Sequence, residues 1–178
     1  MFWRRALSGG WTKRSIREDS LAIDQAFKKV GAEYTKANDA EIDDLLRLTV
    51  YSQIVSGTNY KITFVDSKAD LPIIQEYTVW VPLNLANNEL DIIGHNTYKA
   101  KNKLIPTDKP SFKALEKNLH KYLKDSTEKL CYISYISPIE NDETNFYLIN
   151  ANTGNGEHLY VICQEKRTGE YYLIRKVK

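Results

Sequence analysis

Twice along this chain, apolar residues at helical spacing give way to runs that alternate with a period of two. That switch, a helix first and several strands after it, limits the fold more than any single motif does. Ile23, Phe27, Val30 and Tyr34 are spaced i, i+4, i+7, i+11, which is one face of an amphipathic helix. The spacing predicts a helix over 18–37, opened by a Ser15/Glu18 capping box. Gly31 inside it costs about 1 kcal/mol against alanine, a cost that close packing on a sheet would explain. Leu48, Val50 and Ile54 then alternate with Thr49, Tyr51, Gln53 and Val55. A turn at Ser56-Gly57-Thr58-Asn59 leads into Tyr60, Ile62 and Phe64, so the segment reads as a hairpin. A third strand over 73–81 stops at Pro82, which has no N–H to give to a ladder. A fourth strand is predicted over 90–98. One helix packed on an antiparallel sheet of four to five strands is an α+β arrangement.

The prolines of Ile105-Pro106-Thr107-Asp108-Lys109-Pro110 interrupt the pattern, which then restarts. Phe112, Leu115, Leu119, Tyr122 and Leu123 form a second helical stripe, followed by strand-like runs at about 130–137, 145–151, 158–165 and 170–177. The predicted organisation is a basic segment over 1–14, a first domain over 15–105, a linker over 106–110 and a second α+β domain over 111–178. The second domain repeats the helix-then-four-strands order of the first. A degenerate internal repeat and an independent, similar layout both fit that order.

The 178 residues carry a net charge of +2 from 25 basic and 23 acidic side chains, so no bulk attraction to nucleic acid is expected. No apolar run approaches the roughly 20 residues that span a bilayer. The sign is uneven, however. Arg4, Arg5, Lys13, Arg14 and Arg17 precede the first acid, Glu18, among Phe2, Trp3 and hydroxyl residues. That is the composition of a mitochondrial presequence; the other reading is an exposed basic tail on a cytoplasmic protein. Lys99, Lys101, Lys103 and Lys109 form a loose basic run, and Lys113, Lys117, Lys121 and Lys124 share one side of the second helix. A solvated face is one reading of those lysines; contact with acidic partners or anionic headgroups at a membrane periphery is the other.

Nothing in the chain assembles a hydrolytic, metal or cofactor site by pattern. A nucleophile needs a positioned base, and His158 and Cys163, five apart on one predicted strand, point to opposite faces. His95 follows the Ile93-Gly94 stretch of the fourth strand, and His120 borders the second helical stripe facing solvent. No C-x-x-C or H-E-x-x-H spacing occurs, and Gly154-Asn155-Gly156 reads as a hairpin turn. Cys131 and Cys163 read as half-buried strand residues acting as small hydrophobes, with a bridge between them left open by sequence. No catalysis and no cofactor are expected.

Three segments point instead to binding. Gln53-Ile54-Val55-Ser56-Gly57 has the form Gln-x-Val-x-Gly, Gly9-Gly10-Trp11-Thr12 precedes the first helix, and Leu90-Asp91-Ile92-Ile93-Gly94-His95 leads into a lysine-rich stretch. In this order, and without cysteine, residues 9–105 resemble the stefins, the disulfide-free branch of the cystatin family. The resemblance implies a cystatin fold and reversible, competitive inhibition of papain-like cysteine proteases by a three-part wedge. Gly9 and Gly10 would be its N-terminal trunk, residues 53–57 its first hairpin loop, and Val81, Pro82 and Leu83 its second. Glycine backbone can enter a narrow cleft, and Val55 would fill an apolar surface at low entropy cost. Gln53 would anchor the loop through its amide. Eight residues precede Gly9 and a long 83–88 stretch follows Pro82, both departures from the family pattern. The competing expectation is an accessory subunit of a larger mitochondrial assembly, docking on neighbouring subunits through the same fold without inhibiting a protease.

Overall fold

A computed structural model describes residues 10–15, 20–85, 89–101 and 103–178. Among them are two helices and nine strands in two antiparallel sheets. The chain divides into two units between Thr97 and Tyr98.

In the first unit, β1 (Thr12–Arg14) precedes helix α1 (Leu21–Asn38). A short 3-10 turn (Ile42–Asp44) follows, and then β2 (Leu45–Val55), β3 (Gly57–Asp66), β4 (Ile73–Val81) and β5 (Asp91–Lys99). The strands lie side by side in chain order, β1-β2-β3-β4-β5. Helix α1 starts later than the predicted residue 18. Its N-cap is Ser20, whose Oγ accepts from Ile23 N at 3.3 Å, and Glu18 of the expected capping box lies outside the described residues. The tight neighbour of Gly31 is not the sheet, as expected, but a side chain of the 3-10 turn: a Cβ there would come within 2.9 Å of Ile42 Cδ1, while Leu45 at the start of β2 stands at an ordinary 3.7 Å.

The predicted stripe is the buried one. Ile23, Ala26, Val30 and Tyr34 pack on Val50, Tyr60, Ile62, Phe64, Tyr77, Val79 and Val81. Phe64 sits at the middle. Phe27 and Tyr34 meet its ring edge-on at 6.0 and 5.3 Å, Tyr77 stacks on it at 5.8 Å, and His95 stacks on Tyr77 at 3.9 Å. One aromatic row thus runs from the helix across β3 and β4 to β5. Tyr34 also donates its hydroxyl to Asp66 Oδ2 at 3.0 Å, tying the last turns of α1 to the end of β3.

The second unit holds α2 (Pro110–Leu123), β6 (Leu130–Glu140), β7 (Thr144–Thr153), β8 (Gly156–Glu165) and β9 (Tyr171–Lys176), with the strands again in chain order. Helix α2 opens on Pro110 itself, where the missing N–H costs nothing. Phe112, Leu115, Leu119 and Leu123 bury against Ile133, Ile136, Ile149, Ala151, Tyr160 and Ile162. Strand β6 runs on to Glu140 through Pro138, which an edge strand tolerates because its outer side makes no ladder bonds. It also carries two irregularities in register, between Leu130 and Tyr132 and between Ile133 and Tyr135. Glu128, before β6, accepts from Lys176 Nζ at 2.9 and 3.2 Å and from the Tyr160 hydroxyl at 3.2 Å, and lies 3.4 Å from His158 Nε2.

Burial, then the hydrogen bond and the charge of Asp66, push the Tyr34 phenol from 10.0 up to about 12. The folded protein holds this proton to higher pH than the unfolded chain. The contribution is therefore complete below pH 10 and is lost as the pH rises toward 12. In thermal melts, the stability advantage of the wild type over Tyr34→Phe should narrow across that alkaline window and stay constant below it.

Candidate protein-binding site

Register decides which residues meet at the end of the first sheet where β2 turns into β3. Val55 pairs with Gly57, so Ser56 alone forms the tip of the hairpin. Gly57 adopts φ +101, a left-handed conformation that a side chain strains. Space is closed to it as well: a Cβ would lie 2.6 Å from Val81 O and 2.8 Å from Trp80 Nε1. On the next strand Thr58 pairs with Val81 and Asn59 with Trp80, which brings the exit of β4 beside the tip. Trp80 closes the arrangement by donating its indole N–H to Ser56 O at 2.7 Å. On the other side Thr12 pairs with Ser52, so Gly10 approaches the same end of the sheet from β1. The Trp11 ring lies under Lys61 Nζ at 4.3 Å.

The segments predicted to bind, 10, 53–57 and 81–83, are therefore brought to one end of the sheet, while Gly9 lies outside the described residues. Their roles divide by exposure. Ile54 and Leu83 present most of their surface, 73% and 89% exposed, and Gly10 and Ser56 are exposed beside them. Gln53 and Val55 are half-buried, and Gly57, Val81 and Pro82 are buried. Ile54 and Val55 are neighbours on a strand and point to opposite faces, and Ile54 exposes more of its apolar surface. Gln53 accepts from Asn59 Nδ2 at 3.4 Å, an anchoring role within the hairpin. Trp80, outside the predicted set, reaches this end through the β3–β4 register, which sets it opposite Asn59.

Chemically this end is plain. Residues 53–58 and 80–85 contain no charged side chain. Besides the Ser56 and Thr58 hydroxyls, these segments offer shape, backbone polar groups, amide side chains and two exposed aliphatic side chains. The histidines and cysteines lie elsewhere. His95 hydrogen-bonds Gln75 Oε1 at 2.9 Å, and burial lowers its pKa while Glu33 works in the opposite direction. Cys131 is exposed and Cys163 is buried, and neither is in a disulfide; burial pushes the Cys163 thiol well up, against nucleophilic use. The expectation of two half-buried cysteines is corrected for both, since β6 is an outer strand and β8 an inner one. Among the described residues no group of three or more His, Cys, Asp or Glu could hold a metal ion, and no helix is long and apolar enough to cross a membrane.

No protein-family model matches the chain, and no curated protein matches it.

Gly57→Ala should lower the stability of the first unit by more than about 1 kcal/mol, whereas Gly10→Ala, with nothing within 4 Å of the added carbon, should stay within roughly 0.5 kcal/mol of wild type. All three tryptophans, Trp3, Trp11 and Trp80, precede residue 98, so denaturant unfolding followed by tryptophan fluorescence reads this unit. Trp80→Phe keeps the ring and removes the donor. It should speed amide exchange at the hairpin tip about fivefold, the equivalent of one net hydrogen bond.

Proposed function

We propose that the first unit is a stefin-like cystatin domain, and that it acts without catalysis as a reversible, competitive inhibitor of papain-like cysteine proteases. The observation that carries this reading is the convergence of the Gln53-to-Gly57 hairpin, the Val81-to-Leu83 turn and Gly10 at one end of the sheet. Supporting it is the order of elements: a short strand, a helix laid on the sheet and four antiparallel strands in sequence. In this reading Ile54, Ser56, Leu83 and Gly10 meet the walls of the substrate cleft and cover the protease's nucleophile. Gln53, Gly57, Trp80, Val81 and Pro82 hold them in shape. Because the hairpin is fixed before binding, little ordering cost is left for the encounter.

A second reading, an accessory subunit of a larger and mitochondrial assembly, is favoured by the second unit. It has its own helix, sheet and core, and stefins have no such addition. There the exposed end of the first sheet would dock on a neighbouring subunit, and the basic residues 1–14 would serve in targeting.

Titration of papain with the purified chain separates the two. Inhibition should appear at or below micromolar protein. Ile54→Asp, Val55→Asp, Leu83→Asp and Gly10→Glu should each weaken it by at least about thirtyfold, because each buries a charge or blocks the approach of backbone. Melting temperatures should remain near wild type for Ile54→Asp and Leu83→Asp, which are exposed. Absence of inhibition, together with co-migration of the chain with a large complex on a native gel, would reverse the choice.

A further inference from the structure

Helix α2 buries one side and sets four lysines on the other. Phe112, Leu115, Leu119 and Leu123 face the core. Lys113, Lys117, Lys121 and Lys124 are all exposed, and at about 100° per residue they fall on the side of the helix opposite that core stripe. Among the described residues none of the four makes an ion pair. Glu116 is the single acid between Pro110 and Lys124, and it is half-buried at the flank. The row extends over roughly 16 Å of helix. Exposed Lys101 and Lys103 precede it in the chain. In a protein whose charges otherwise nearly cancel, at +2 overall, four unneutralised cations have been set in one line at a cost in mutual repulsion.

We infer that the outward face of α2 is a docking surface for a bilayer carrying anionic lipids. The residue type favours it: lysine is a hydrated point charge on a flexible stem, suited to a diffuse layer of negative headgroups, whereas recognition of discrete phosphates favours the planar fork of arginine. A row on the crest of a single helix fits a broad flat surface. Nucleic acid is a poorer match, because no aromatic ring lies in the lysine row to stack a base; Tyr122, 46% exposed, stands to the side of the row at helical spacing and meets the Tyr160 ring. An acidic protein is a poorer match as well, since the row lacks the apolar or aromatic anchor on which a protein interface is centred. The surface acts by proximity of charge and needs no insertion, consistent with an apolar stripe already buried in the core. Each lysine raises partitioning onto an anionic membrane about fivefold, so the four together raise it by several hundredfold.

The test is sedimentation of the full chain with phosphatidylcholine vesicles, with and without phosphatidylserine, at low and high salt. Binding should require phosphatidylserine, weaken steeply with salt, and fall by more than about a hundredfold in the Lys113→Gln/Lys117→Gln/Lys121→Gln/Lys124→Gln variant. The corresponding lysine-to-arginine variant, which keeps the charge, should retain it, and equal melting temperatures across the three proteins exclude misfolding. Equal binding to neutral vesicles, binding unchanged in the glutamine variant, or no binding to phosphatidylserine vesicles at low salt would each overturn the inference. Tighter binding to an RNA duplex than to the vesicles would assign the face to nucleic acid and overturn it as well.

Discussion

The first unit depends on the seating of one helix across one sheet, and Phe64 is where that seating is fixed. Its ring takes two edges from α1 and one face from β4. It leaves no freedom for the helix to slide along the strands without separating rings that are worth about 0.5–1.5 kcal/mol per pair beyond their buried area. Gly31 leaves room for the Ile42 side chain of the 3-10 turn beside the helix, and the Tyr34–Asp66 bond secures the distal end. With the helix held at that end, β2 and β3 extend to the opposite end as a long hairpin, and the tip inherits its rigidity from the sheet.

At that tip the sequence invests in shape rather than charge. The backbone of Gly57, the indole of Trp80 and the carbonyl of Val81 crowd into a space that admits no further carbon. Ile54 and Leu83 are left to face outward. The second unit has the same order of elements but different ends. Its β6–β7 connection is an acidic turn in which Asn141 Oδ1 accepts from Glu143 N at 3.1 Å and Thr144 N at 2.9 Å. Lys166, on the β8–β9 connection, pairs with Glu140 at 3.4 Å. Such a charged, internally satisfied end is a poor plug for an apolar cleft. A repeated layout therefore does not imply a repeated role.

Much of this was legible in the sequence because period and turn chemistry are local properties. The stripe from Ile23 to Tyr34, the strand from Ile73 to Val81 and the hairpin at Gly57 all stand where periodicity placed them. The start of α1 was displaced because periodicity marks the stripe but not its cap: the cap is Ser20, whose hydroxyl accepts from Ile23 N, and not Ser15. Exposure within the tip was not legible. Whether Ile54 or Val55 faces outward depends on how β2 lies on the sheet, and a shift of one residue exchanges the two. The clamp from Trp80 to Ser56 is a contact across 24 residues, set by register between strands that periodicity describes only one at a time. The lysine row on α2 was visible at once, but that none of its four members forms an ion pair among the described residues needed coordinates.

The irregular outer strand of the second sheet has a consequence of its own. An open strand edge invites a neighbouring molecule to extend the ladder, the first step toward fibrils. Strand β6 meets that hazard with two register shifts and a proline at 138, which bend the edge and remove a donor from any new partner. On the far side β9 spans six residues and ends in Arg175 and Lys176, charges of the kind that discourage a stranger from pairing with an edge. Concentrated solutions of this protein are thereby guarded against polymerising through its second half, whatever its first half grips.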